Sequence, residues 1–318
     1  MWVVFDRMGL SRIFKYLTSF VFSFFCLFGL FEIAACSDNE DEGQNDGTLI
    51  TITNGGDSDL NTYLQDVEGK VNVKVSGFAN ITQDVLKNAL GTTDTQSITI
   101  DGGKTGAKIY IKGSGNEAPL FAKGSALLTF RNIEIVDQTT AKVWWQNWST
   151  EFTGNLLFEN CIIQDGILID HGANATFKNC KITSQAPSRY AFWLHGGTAV
   201  LQNCKISGTY GIKVHEEPGS KIINLTIEDC QFGPLTKRPA LAFEKINAQA
   251  VIEVRGCTFT NCGKWYDRPS VIDEGINGFY EATKVTTDEY TFIYENNTVD
   301  GIPCSELTKE YDDNYIID

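Results

Sequence analysis

Large and polar residues alternate in short runs along most of the chain, and one six-residue run keeps returning. Phe130-Arg131-Asn132-Ile133-Glu134-Ile135, Phe158-Glu159-Asn160-Cys161-Ile162-Ile163 and Phe177-Lys178-Asn179-Cys180-Lys181-Ile182 share it. Leu201-Gln202-Asn203-Cys204-Lys205-Ile206, Ile227-Glu228-Asp229-Cys230-Gln231-Phe232 and Val254-Arg255-Gly256-Cys257-Thr258-Phe259 continue it, and Tyr294-Glu295-Asn296-Asn297-Thr298-Val299 is a weaker seventh copy. At the fourth place the copies lie 28, 19, 24, 26, 27 and 40 residues apart. Alternation with a period of two marks a strand with one buried face. The Asn, Asp or Gly at the third place tolerates left-handed backbone, which predicts a sharp bend between two short strands. Such a pair cannot bury itself, but stacked copies cover one another. The pattern therefore predicts an all-β solenoid, a right-handed parallel β-helix over 97–304. A leucine-rich solenoid would need denser Leu at a steadier period, and a sandwich would show more Asn-Gly hairpin turns.

Outside the repeat the pattern changes. Residues 48–96 read as a small N-terminal α/β cap, with a strand at Val71–Val75. A short helix is expected from Ile81 to Leu90, capped by Asn80 or Thr82 and striped by Val85, Leu86 and Leu90. Ser97–Asp101 and Lys108–Lys112 would open the coils. The interval 263–291 breaks the period and is expected to be a loop or cap, with 305–318 a C-terminal tail.

The first residues read as an address. Arg7, Arg12 and Lys15 precede an apolar run from Leu17 to Phe31. That run is shorter than the roughly 20 residues a membrane-crossing helix needs, so 1–35 reads as a signal peptide. Ile33-Ala34-Ala35-Cys36 resembles the bacterial lipobox, which implies lipidation of Cys36. The acidic run Ser37-Asp38-Asn39-Glu40-Asp41-Glu42 resembles the export signal of Bacteroidetes-type surface lipoproteins. Residues 36–47 would be a flexible acidic tether. The resemblance implies an outer-membrane lipid anchor, exposed at the cell surface.

Composition adds one exclusion. The formal net charge is −14 over 318 residues, which argues against a nucleic-acid partner. Of nine Cys, five share one place in the repeat. There they would pack as buried thiols; disulfides between rungs and a metal site are the alternatives. Zinc wants ligands converging from several directions, which a linear stack supplies poorly. Cys262 with Cys304 is a candidate bridge across the last coils.

Candidate chemistry lies in a third apolar stretch between successive bends. Val143-Trp144-Trp145-Gln146-Asn147, Ile167-Leu168-Ile169-Asp170-His171 and Phe192-Trp193-Leu194-His195 align with Ile212-Lys213-Val214-His215 and Leu241-Ala242-Phe243-Glu244. With the first residue of each inward, Trp144, Leu168, Trp193 and Lys213 form one outer column. Gln146, Asp170, His195, His215 and Glu244 form the next, with His171 just beyond it. Arg189, Tyr190, Tyr210 and Glu216 lie on adjoining loops. Aromatic rings beside acids and imidazoles suit a polysaccharide, with rings stacking on sugars and polar groups binding hydroxyls or moving protons. An ordinary polar outer face on a noncatalytic adhesin or structural surface protein is the competing expectation.

The seven copies resemble the pectate-lyase-like β-helix superfamily. That resemblance implies two reaction schemes. A lyase would use Lys213 or Arg189 as base, with Asp170 and Glu244 near a Ca²⁺. A hydrolase would pair Asp170 with Glu216 or Glu244. Neither scheme's motif is present residue by residue, so no catalytic role carries over, and no cofactor other than Ca²⁺ is implied.

Overall fold

The computed structural model describes residues 47–53, 60–82, 89–104, 106–112, 121–123, 126–139, 145–147, 155–164, 166–169, 173–185, 190–216, 221–236, 240–244, 246, 249–262, 264–265, 268–269, 272–274 and 290–303. The expected signal peptide, Cys36 and the tail 305–318 lie outside them.

Each repeat forms two short strands, and a third closes the coil. The chain winds as a parallel β-helix with three long sheets. The first sheet has ten described strands, from Thr48–Thr53 to Thr291–Glu295, all paired in parallel with the next rung. The second runs from Phe78–Thr82 to Thr298–Val299, and Ile302–Pro303 folds back antiparallel at its end. The third runs from Trp145–Asn147 through Ile167–Ile169, Phe192–Leu194, Ile212–His215 and Leu241–Glu244 to Ile272–Glu274.

Alternation decides what faces the axis. In the first sheet Ile100, Phe130, Phe158, Phe177, Leu201 and Ile227 follow in register. In the second, Ile109, Ile135, Ile163, Ile182, Ile206 and Phe232 do the same. All twelve are buried, none more than 2% exposed. Identical residues on successive rungs meet in the same rotamer environment. Phe130, Phe158 and Phe177 stack at centroid spacings of 5.1 and 5.1 Å, at interplanar angles of 13° and 14°. Offset stacking of this kind adds to the burial of each ring.

The bend between the first and second sheets is where the repeat predicts it. Asn132, Asn160, Asn179, Asn203 and Asp229 have φ of 53–54°, and Gly256 and Asn296 continue the left-handed series. The Asn side chains also form a ladder. Nδ2 of Asn132 donates to Asp101 Oδ1 (3.1 Å), and Asn160, Asn179 and Asn203 each donate to the Asn one rung before, at 3.2, 3.2 and 2.8 Å. The side chain of Asp229 has no N–H to pass on. A Cβ at position 256 would come within 2.3 Å of Asp229 Oδ1, so a larger residue on that rung would have to displace the Asp229 side chain.

Cys161, Cys180, Cys204, Cys230 and Cys257 are free thiols, all buried, one behind the other just past the bend. Each Sγ sits near two backbone carbonyls, its own rung's and the preceding rung's, as with Cys180 at 3.3 Å from Lys178 O and 3.5 Å from Phe158 O. Hydrogen bonds with the neighbouring thiols, then burial, push Cys180 and Cys230 well above the usual thiol range. Cys262 is also free, and burial pushes it up to about 12; Cys304 lies outside the described residues. Among the described residues no cluster of three or more His, Cys, Asp or Glu could hold a metal ion.

Two expectations change. Residues 48–96 are not a separate cap: Thr48–Thr53, Gly69–Ser76 and Phe78–Thr82 are rungs of the main sheets. The helix expected to begin at Ile81 is replaced there by strand, because Ala79 and Ile81 continue an inward alternation that the ladder buries completely. The described helix is Leu60–Leu64, whose two Leu lie four residues apart on one face, fully buried. It packs against Phe78–Thr82 and Ala89–Leu90. The interval 263–291 is not wholly an excursion either. It contains the antiparallel pair Lys264–Trp265 with Arg268–Pro269, and then Ile272–Glu274 joins the third sheet as a rung.

Candidate functional site

The third sheet carries the site. Its strands are short, with Ile167, Phe192, Ile212 and Leu241 in one inward column and Ile169, Leu194, Val214 and Phe243 in the other. The residue between them on each rung faces outward. That column reads Leu168, Trp193, Lys213, Ala242, and Gln146 holds the same register position one rung earlier.

This corrects the expected alignment of the first stretch. Trp145, not Val143, pairs with Ile167, so Gln146 occupies the Trp193 column rather than the His column. The physical reason is the strand period. A slip of two residues keeps every side chain on its face, so alternation cannot detect it. Trp144, Asp170, His171 and Arg189 lie outside the described residues, as do the side chains of Gln146 and Glu244.

The outer column is not uniformly open. Leu168 is 6% exposed and Ala242 fully buried. Tyr190 and Ala242 form a small apolar cluster of their own, outside the axial core, with Trp193 and Tyr210 packed against it. Tyr210 stacks on Tyr190 (5.1 Å, 27°), and Tyr190 meets Trp193 edge to face (5.7 Å, 76°). Trp193 lies 5.6 Å from the His195 ring, and His195 lies 5.3 Å from His215. Lys213 Nζ stands over Trp193, 5.6 Å from its ring centre, within cation–π range.

Five rings thus run in unbroken contact across two adjacent rungs: Tyr210, Tyr190, Trp193, His195, His215. Trp193, His195 and Tyr210 are half-buried, while His215 is buried. Glu244 pairs in register with His215, so the imidazole column leads to a carboxylate position. Glu216, half-buried, follows His215. The structure brings together Trp193, His195, Tyr210, Lys213 and His215. Tyr190 is the member whose central place was not legible: Trp193 is three residues on, but Tyr210 stands on the next rung, and only the stacking of that rung brings it over Tyr190.

A coil of three parallel sheets with an aromatic–imidazole patch on one outer face defines a class, the parallel β-solenoid with a laterally exposed face. The family model for the right handed beta helix region matches residues 120–316. The chain belongs to that family. No curated protein and no solved structure matches it significantly.

Proposed function

We propose that the protein is a pectate-lyase-like surface lipoprotein of the Bacteroidetes type, anchored in the outer membrane through Cys36, whose third sheet binds polysaccharide. The observation that carries the binding reading is the run of rings from Tyr210 to His215. Aromatic faces supply apolar area at small entropic loss, and hydroxyl, indole and imidazole edges supply hydrogen bonds to a polar ligand. Sugar rings have both an apolar face and a polar rim, and the patch pairs the same two chemistries.

Binding is favoured over turnover by the state of the described candidate groups. Lys213 Nζ is engaged by the face of Trp193, 5.6 Å from its ring centre, as a cation–π partner. His215 is 8% exposed, so a substrate proton has little access to it. The lyase scheme would use Lys213 or Arg189 as base with Asp170 and Glu244 near Ca²⁺, the hydrolase scheme would pair Asp170 with Glu216 or Glu244, and Ca²⁺ enters only with the lyase scheme.

The test is affinity electrophoresis through gels holding polygalacturonate, xylan or a neutral β-glucan. Wild type is expected to be retarded by at least one polymer. Trp193→Ala is expected to weaken that retardation about tenfold, the loss of one aromatic stacking contact. Equal mobility of variant and wild type, or free migration in every gel, rejects the reading. Incubation with polygalacturonate, followed by ultraviolet absorbance of unsaturated ends, separates a lyase from a binder. For the anchor, Cys36→Ala is expected to move the protein from the membrane pellet to the soluble fraction; continued sedimentation with membranes rejects the lipobox.

A further inference from the structure

The ridge between the first and second sheets carries a different chemistry. The Asn ladder runs along its crest, with one outward column on each side. Over much of the ridge, opposite charges meet. Lys108 pairs with Glu134 (2.7 Å), and Arg131 with Glu159 (2.8 Å). Arg255 pairs with both Glu253 and Glu295 (2.7 and 3.3 Å).

The middle of the ridge departs from this. Lys181 and Lys205 are direct register partners on adjacent strands, both exposed. Their next neighbours in the column are Ile162 and Gln231, neither of them acidic. Lys178 stands across the bend on the same rung as Lys181. Its register neighbours are Glu159, whose Oε2 is taken by Arg131, and Gln202, whose amide donates to Glu228. Like charges directly opposite in a sheet destabilise it. This pairing persists in a chain of net charge −14, where an acid at 162 or 231 would relieve it. Between the lysines lie the exposed amides of Asn179 and Asn203, each with two N–H groups, one of them committed to the ladder.

We propose that this strip binds an anionic glycan chain along the solenoid axis, with sulfate or carboxylate groups on Lys178, Lys181 and Lys205. Lys181 and Lys205 stand on rungs about 4.8 Å apart, with Lys178 beside Lys181 across the bend, so the cations are spread over two rungs rather than gathered at a point. A glycan fits better than a nucleic acid. Its charges are spaced by hydroxyls that the Asn amides can meet, whereas the flanking Glu134, Glu159 and Glu228 would repel a continuous phosphate backbone. The inference is independent of the ring patch, which stands on the third sheet.

The experiment measures binding of the full-length protein to immobilised dextran sulfate, uncharged dextran and a double-stranded DNA fragment at low salt. Wild type is expected to bind dextran sulfate alone and to release it as salt rises. The triple variant Lys178→Gln, Lys181→Gln, Lys205→Gln is expected to lose about tenfold or more in affinity. Lys104→Gln with Lys221→Gln, two exposed lysines elsewhere, is expected to bind as wild type. The proposal is overturned by any of four results: no retention on dextran sulfate, an unchanged triple variant, an equal loss in the Lys104/Lys221 control, or DNA held as tightly as dextran sulfate.

Discussion

Asn179 shows how much one residue carries in this molecule. Its backbone sits at φ 53°, its amide donates to Asn160, and its carbonyl oxygen accepts from Asn203. Left-handed backbone costs an ordinary L-residue about 1–2 kcal/mol, and Asn or Gly much less. The two roles separate by substitution. Asn179→Gly keeps the turn and loses the ladder, about 1 kcal/mol. Asn179→Ala loses both, so it is expected to be less stable than Asn179→Gly by about 1–2 kcal/mol in guanidinium unfolding. Equal midpoints for the two variants would mean that the bend does not depend on the left-handed conformer. At this scale the sequence is legible: Asn, Asp or Gly at one place in a repeat has few explanations other than a tight bend.

Among elements, the stacked column is the unit of stability. Phe158 lies between Phe130 and Phe177 and is fully buried. Neither neighbour can move to fill a hole without leaving its own place in the stack. Phe158→Ala is therefore expected to cost about 3–5 kcal/mol, and calorimetry or denaturant unfolding would read it. A loss below about 1 kcal/mol would show that the coil collapses around the cavity. Elements are also where sequence reading slipped. Ile81 was expected to start a helix because Val85, Leu86 and Leu90 recur at helical spacing, but the rung of Phe78–Thr82 claims it. Parallel pairing with Ala107–Lys112 satisfies its backbone and buries Ala79 and Ile81 together, and that tertiary gain outweighs a local preference worth tenths of a kcal/mol per residue.

The coil is close to one-dimensional, since each rung touches chiefly its neighbours. Asn174 and Thr198 occupy the same place on successive rungs, so deleting 174–197 removes one complete coil. Thr198 would then pair where Asn174 did, with every face preserved. Removing Val200 as well shortens the strand Thr198–Gln202 from inside and turns part of its inward set outward. The first deletion is expected to unfold cooperatively, with native-like circular dichroism. The second is expected to aggregate or lose its transition. Similar behaviour of both would contradict the stacking. The 174–197 deletion also removes Tyr190, Trp193 and His195, so it is expected to lose polysaccharide retardation while keeping its fold.

The repeat, its bends and its inward thiols could be read from the residues alone, because alternation and left-handed tolerance are local properties that each copy states again. The family match over 120–316 and the coil agree with that reading. The composition of the ring patch belonged to the tertiary structure. Gln146 moved two residues in register, Leu168 was covered rather than open, and Tyr190 became the link between Tyr210 and Trp193. Loops of unequal length separate these residues along the chain, and a period of two is blind to an even slip. Only the closure of each coil onto the next sets which outward side chains meet.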